Sequence, residues 1–570
     1  MGRNPVQAET VAEAYLRLLA ARGVEYFFAN AGTDFAPVIE ALANAALTNT
    51  PVPKPILATH EHVAASMAHG YAMVSGKIPA VMVHVSVGTG NTICAALNAA
   101  RENVPILLSA GRSPITEEGL AGARDAYIHW GQEMYDQAGM VREIVKWEYE
   151  LRNAAQLATV VDRALNIAAT EPCGPVYLSL PREVIAAPAT ETGYDDSPPR
   201  VAPAPPRPDA GAMAAAARIL AAAENPLIVT INAGRDKAAV AALAEFAERF
   251  AIPVVQHKPR YMALPSDHPM HLGFDPGSLV GEADAILALE ADVPWIPSRA
   301  APRDSCKVIH AGLEPLFPRY PIRGFRCDLA VAGAARAILA DLGEALGRSV
   351  ERSRVEARRG RIARLRTEQR AAWEKLAHDN RATRPLHPAW ISHCIDAAKG
   401  ENAILVNEYT LLPEHCRFVA PGSFFGSSGA SGLGWGLGAA LGAKLAAPDK
   451  LVIATLGDGA YIFGNPVAAH HAAKAHGLPI LTVVFNNAMW NAVRKATLDM
   501  YPGGQAAKSN KAPFIHLDDL PAFEQVCAAA GGYGERVEDP AELPEALARA
   551  IAAVTKERRQ ALLNVICQTP

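Results

Sequence analysis

The sequence predicts an α/β protein built from three doubly wound parallel-sheet domains. Three observations carry that expectation. The chain has 570 residues, 50% hydrophobic and 20% charged, which is too long for one core. Short apolar runs alternate with helical patterns along its whole length, as in sheets covered on both faces. A Pro/Ala-rich stretch, SPPRVAPAPPRPDAG (197–211), and a charged stretch, RSVERSRVEARRGRIARLRTEQRAAWEKL (348–376), divide that alternation into blocks. The expected layout is a domain over 1–190, a middle domain over 205–345, a linker helix over 346–385 and a last domain over 386–570.

In the first block, VAEAYLRLLAARG (11–23) predicts a helix stopped by Gly23, and VEYFFA (24–29) a strand. DFAPVIEALAN (34–44) predicts a helix with Asp34 as its cap. ILAT (56–59), AVMVHV (80–85) and PILLSAG (105–111) predict strands, separated by helices that begin at Glu61 and Gly90. PVYLSLP (175–181) reads as the closing strand. The second block repeats the pattern with PLIVTIN (226–232), IPVVQ (252–256), DAILAL (284–289) and KVIHAG (307–312). The charged stretch intersperses acidic with basic residues, so it reads as a solvated helix rather than a nucleic-acid helix. The third block has strands AILVN (403–407), LVIATLG (451–457), PILTVVF (479–485) and ALLNVIC (561–567). No short-period repeat is visible.

The formal net charge of -4 lacks the basic excess that phosphate backbones require, so no nucleic-acid partner is expected. No apolar run approaches the roughly 20 residues that span a bilayer. MGRNPVQAET (1–10) has no apolar signal region. Eight cysteines are scattered with no CxxC, and read as small buried residues of a cytoplasmic enzyme.

The stretch that carries chemistry is LVIATLGDGAYIFGNPVAAHHAAKAHGLPILTVVFNNAMW (451–490). One buried strand ends in Gly457-Asp458-Gly459, and the next in Asn486-Asn487. Ligands of parallel sheets bind beyond such strand ends. Flanking glycines allow close backbone approach, and the following helix offers N–H groups to phosphate. A carboxylate beside a diphosphate needs a cation between them, and hard oxygen ligands suit Mg²⁺. Asp458, Asn487 and the carbonyl of Met489 would be its ligands. From spacing alone, a Rossmann dinucleotide turn and a plain strand-to-helix turn stay open.

GDG followed by NN, with 26 intervening residues (460–485), resembles the thiamine diphosphate signature. The likeness extends over nearly the whole chain, to the decarboxylase and carboligase family that includes acetolactate synthase and benzoylformate decarboxylase. ILATHEHVAASMAHGYAMVSGKIPAVMVHVSVGTGNTICAALNAA (56–100) is similar to its pyrimidine-binding domain. VNEYTLLPEH (406–415) and FFGSSGASGLGWGLGAALGAKLAAPDK (424–450) are similar to its diphosphate-binding domain.

The resemblance implies thiamine diphosphate and Mg²⁺ as cofactors, and each role below. Glu61 is the carboxyl that meets the pyrimidine ring nitrogen N1′, in partly desolvated surroundings. Leu433 lies under the thiazolium, and the carbonyl of Ser431 accepts from the amino group. Thr410, Gly457, Gly459 and Ala460 line the diphosphate. Leu411 departs from the polar residue of the benzoylformate decarboxylase pattern. His84 matches that pattern, with Thr33 in place of its serine. Gln132, Val493 and Arg494 match acetolactate synthase instead. Glu61 and the metal ligands meet across subunits in this family, which implies at least a homodimer, usually a homotetramer. The middle domain holds FAD in acetolactate synthases and ADP in the oxalyl-coenzyme A decarboxylase branch. Here NAGRDK (232–237) and HLGFDPG (271–277) are its loop candidates.

The expected activity is cleavage of a 2-oxo acid next to its carbonyl, followed by protonation or carboligation of the enamine. Alternatives are a 2-hydroxyacyl-coenzyme A lyase or oxalyl-coenzyme A decarboxylase-like enzyme acting on an acyl-coenzyme A. YPGGQAAKSNKAP (501–513) would then be a lid over nucleotide phosphates. A catalytically inactive cofactor-binding paralogue is a third reading, against which intact Glu61, Asp458 and Asn487 argue.

Overall fold

Near-continuous apolar strands cannot sit at a solvated face, and here they assemble into three all-parallel sheets flanked by helices. The computed structural model describes residues 8–189 and 203–569. The N-terminus read for a signal peptide (1–7) and the first part of the Pro/Ala stretch lie outside the described residues.

The first sheet contains β1 (Tyr26–Ala29), β2 (Lys54–Leu57), β3 (Ala80–Val83), β4 (Leu107–Arg112), β5 (Glu148–Glu150) and β6 (Val176–Pro181), in the order β2-β1-β3-β4-β6-β5. The second contains β7 (Pro226–Thr230), β8 (Val254–Gln256), β9 (Ala285–Leu289), β10 (Lys307–Gly312) and β11 (Leu329–Ala332), in the order β11-β10-β9-β7-β8. The third contains β12 (Ile404–Glu408), β13 (Phe424–Gly426), β14 (Val452–Gly457), β15 (Leu481–Asn486), β16 (Tyr533–Val537) and β17 (Ala561–Ile566), in the order β13-β12-β14-β15-β17-β16. The first and third sheets therefore share one topology. In each, the winding direction reverses beside the first strand, which opens a crevice at the carboxyl ends of β1 and β3, and of β12 and β14.

Several expectations need correction. The closing strand 175–181 is an inner strand, because β5 pairs outside it. Strands β5, β11, β13 and β16 were not foreseen: β5 and β13 have only three residues each, and β5, β11 and β16 carry half-exposed positions. The edge strand β2 sits two residues earlier than ILAT, with only Ile56 buried. The helix expected from Gly90 starts at Val85, directly after β3. Asp34 caps no helix: the helix Ala36–Thr48 begins after Phe35, with no side-chain cap. Of the eight cysteines, all free, Cys94 and Cys327 are exposed.

The helix Glu61–Ser75 packs on the helix Trp435–Ala446, and their buried residues share one apolar cluster with parts of both sheets. The approach is close because both helices present small residues. A Cβ on Gly70 would overlap the Ala439 carbonyl, and one on Gly442 the Met67 carbonyl. The middle sheet has its own core. The charged stretch forms the helix Arg352–Asp379, mostly solvated, with Arg358, Ile362 and Ala377 buried. Arg358 donates to the carbonyls of Leu220 and Phe250, the orphan acceptors at two helix ends. Among the described residues, no helix is long and apolar enough to cross a membrane.

Candidate functional site

The crevice of the third sheet gathers most of the residues singled out above. β14 ends at Gly457, and the helix Asp458–Phe463 follows at once. Asp458 is 3% exposed. Its Oδ1 accepts the N–H of Gly459 at 2.7 Å, and backbone N–H groups of Asn487, Ala488 and Met489 also face the carboxylate. Its Oδ2 is buried with no partner. Burial is the main cause that holds the carboxyl above its usual range, against those backbone donors. Asn487 follows β15, and its Oδ1 accepts from Met489 N at 3.1 Å. The turn is tight, with Ala488 at φ 54°. The Trp490 ring occupies the space a Cβ on Gly459 would fill.

On the neighbouring strand end, Thr410 lies beside Gly457, and its Oγ1 is buried without a partner. Ala460 is buried in the first turn of the short helix. Ser431 is exposed at φ 55°, with its hydroxyl against Tyr409. Leu433 is half-buried. The turn between them is held from both sides. Asn98 pairs with Gly432 through both backbone groups, at 2.8 and 3.0 Å. Glu408 accepts from Gly434 and Gly436 at 2.7 and 2.6 Å, and burial pushes its carboxyl up to about 7.

The crevice of the first sheet holds the others. Glu61 opens its helix, 7% exposed. One carboxyl oxygen accepts from Asn30 and the other from Asn91, each at 2.9 Å. His84 follows β3, with Nδ1 2.6 Å from Asp34 Oδ1 and Nε2 3.2 Å from Gln132 Nε2. Among the described residues, no hydrogen bond or ion pair joins Glu61, His84 or Gln132 to the Asp458 and Asn487 group of the same chain.

Sequence profiles of three domains match this chain. A thiamine pyrophosphate enzyme N-terminal TPP binding domain matches residues 9–140, a central domain 213–342 and a C-terminal TPP binding domain 408–565. The chain belongs to the thiamine pyrophosphate enzyme family. It is a thiamine diphosphate-dependent enzyme, and its relatives span the full length. A "Probable 2-ketoarginine decarboxylase" of Pseudomonas aeruginosa is 29% identical, covering 95% of this chain and 91% of that one. A benzoylformate decarboxylase of the same organism is 29% identical, covering 98% and 99%. The fold is that of a solved thiamine diphosphate-dependent 4-hydroxybenzoylformate decarboxylase from Rhodococcus jostii, at TM-score 0.77 and 22% identity over 98% of this chain and 99% of that one.

The residues of this thiamine pyrophosphate enzyme fit a cation and a diphosphate. Two buried polar atoms without partners, Asp458 Oδ2 and Thr410 Oγ1, face one crevice. One carboxylate, one amide oxygen and backbone carbonyls are hard donors that leave room for phosphate oxygens.

A second cavity of about 720 Å³ lies between the middle sheet and the third sheet. Its wall includes Lys258, Asp275, Asp292, Arg299, Tyr409 and Ser431. In the middle-domain loops, several groups that could meet a phosphate are already engaged. A Cβ on Gly234 would overlap the Met262 carbonyl, and Arg235 is held by both Glu171 oxygens. The N–H of Gly277 is taken by Asp275.

Arg494, in the helix Asn491–Met500, is spent on Asn510 at 2.9 Å, while Val493 is exposed. Leu411 is buried core. Sequence reasoning missed Asn30, Asn91, Asn98, Asp34 and Glu408. Asn30 and Asp34 follow β1, and Glu408 ends β12, so strand-end position was the available signal.

Proposed function

We propose that this enzyme is a Mg²⁺/thiamine diphosphate-dependent carbon–carbon lyase or transferase acting on a 2-oxo acid. It decarboxylates that substrate, and the carbon left behind is protonated or joined to a second carbonyl compound, as in benzoylformate decarboxylase-like or acetolactate synthase-like enzymes. The observation that carries this reading is the buried, unpaired Oδ2 of Asp458 beside Asn487 at the sheet's switch point.

In this reading Asp458, the Asn487 amide oxygen and the Met489 carbonyl hold the cation. Thr410, Gly457, Gly459 and Ala460 line the diphosphate, Leu433 supports the thiazolium, and the Ser431 carbonyl accepts from the amino group. Bound thiamine diphosphate supplies the carbon nucleophile and the electron sink. Glu61 holds a proton at the pyrimidine nitrogen, and His84 with Gln132 serves the substrate oxygens. Two copies complete each site, as a homodimer or a homotetramer. Exposed Tyr127, Trp130 and Tyr135 on the first block, and Phe463 and Val467 on the third, support an interface there. Eight free cysteines suit the cytoplasm.

The deciding experiment is turnover of a 2-oxo acid panel, with and without aldehyde acceptors and acyl-coenzyme A substrates, with products identified by mass spectrometry. CO₂ release that requires both cofactors is expected. No turnover of any member would overturn the reading.

His84→Ala should leave cofactor binding intact and lower turnover roughly 10²–10⁴-fold, the usual contribution of a positioned proton-transfer group. The pH–rate profile should lose one limb. A loss of only a few-fold with an unchanged profile would make His84 structural.

A further inference from the structure

Asp34 lies in the turn after β1, 3% exposed, and makes no helix cap. Its Oδ1 stands 2.6 Å from His84 Nδ1, and its Oδ2 accepts the N–H of Val85 at 3.3 Å. Two glycines make room for this contact. A Cβ on Gly32 would overlap the His84 ring, and one on Gly111, in β4, would overlap the Asp34 carboxylate. Gly32 has φ -129°, so the requirement there is space and not backbone freedom. Val85 has φ 32°, a region a β-branched residue enters only under constraint from its surroundings.

The far side of the ring points the same way. His84 Nε2 faces the nitrogen of the Gln132 side chain at 3.2 Å, while Gln132 Oε1 is buried without a partner. Amide oxygen and nitrogen exchange by a half-turn of the group. Turned over, Oε1 accepts from a protonated Nε2, and the amide N–H groups are released. A ring protonated at both nitrogens therefore satisfies Asp34 on one side and Gln132 on the other. The charged and titratable groups around it are Asp34, Glu61 on the helix Glu61–Ser75, and His129 on the turn Ile128–Gly131. The hydrogen bond to Asp34 is the largest cause holding the imidazole above its usual range.

We propose that Asp34 is a positioning residue that anchors His84 as an imidazolium, whose Nε2–H holds the Gln132 amide oxygen and so turns the Gln132 amide N–H groups, with the imidazolium charge behind them, to the anionic oxygens of the substrate. This rests on the reading of the crevice as a 2-oxo acid site. It assigns His84 a charge to lend rather than a proton to accept. Activity then falls as pH rises through the His84 titration, and weakening the anchor brings that fall to lower pH.

The test is a ¹³C-histidine NMR titration of the holoenzyme, with the His84 signal identified by its loss in His84→Gln, beside kcat/KM against pH. Asp34→Asn should lower the His84 midpoint by about 1 unit or more. It should move the alkaline limb of kcat/KM the same way and leave C2 proton exchange of the bound cofactor unchanged. Gly32→Ala, which displaces the ring without touching either charge, should shift the midpoint in the same direction and covers the case where Asp34→Asn does not fold. A His84 midpoint that stays at the wild-type value in both variants overturns the inference, even if turnover falls. A wild-type chain that turns over no 2-oxo acid, yet keeps the Asp34–His84 coupling, overturns only the function on which it rests.

Discussion

Glu61→Gln will leave thiamine diphosphate bound and slow C2 proton–deuterium exchange of the bound cofactor by roughly 10²–10⁴-fold. The reason lies in what the substitution spares. Each carboxyl oxygen of Glu61 accepts one amide hydrogen, from Asn30 and from Asn91, both at 2.9 Å. A glutamine keeps one of those acceptors. Its new NH₂ meets the other asparagine, whose amide can turn to present oxygen instead. Shape, packing and hydrogen-bond number survive, so the helix start and the crevice stay in place. The one property removed is a dissociable proton at the position opposite the cofactor's pyrimidine nitrogen. Quenched-flow NMR measures the exchange directly, and calorimetry checks that the cofactor is bound. Exchange at the wild-type rate would show that some other group activates the cofactor.

Much of this site could be read from residue order, because its parts sit at the ends of buried strands and buried strands are easy to see. Gly457-Asp458-Gly459 and Asn487 follow two runs with unbroken apolar patterns, β14 and β15, and the structure puts them side by side. The asparagines and Asp34 were harder. Asn30, Asn91 and Asn98 stand in ordinary polar positions of loops and helices, and only the fold brings them to Glu61 and Gly432. Asp34 had a local explanation as a helix cap, and a local explanation conceals a partner 50 residues away. The shared topology of the first and third sheets was also invisible. Sheet order depends on which strand crosses over which, and two blocks of unlike sequence can wind alike. Edge strands such as β5 and β16 escaped because a strand covered on one side needs no apolar run.

Asp458→Ala will abolish Mg²⁺-dependent binding of thiamine diphosphate. The carboxylate has one oxygen committed to the protein, through Gly459 N–H, and one committed to nothing. An unpaired carboxylate oxygen in a buried crevice is costly, and a cation held there would offset that cost. Removing it leaves the diphosphate with no counter-charge from the cation. The affinity loss should be at least about 100-fold, since losing an outer-shell partner of a metal site alone costs 10–100-fold. Alanine also removes the acceptor of the Gly459 N–H and the carboxylate that the Asn487–Met489 backbone faces, so a distorted turn could imitate a lost cation. Asp458→Asn separates the two effects. It keeps an oxygen for those backbone donors and removes only the charge, so the turn should hold while cation-dependent binding is still lost. Calorimetry with and without a chelator reads both variants. Cofactor affinity that persists in Asp458→Asn and still responds to chelator would place the cation on other ligands. Affinity that persists and ignores chelator would remove the cation from the site altogether.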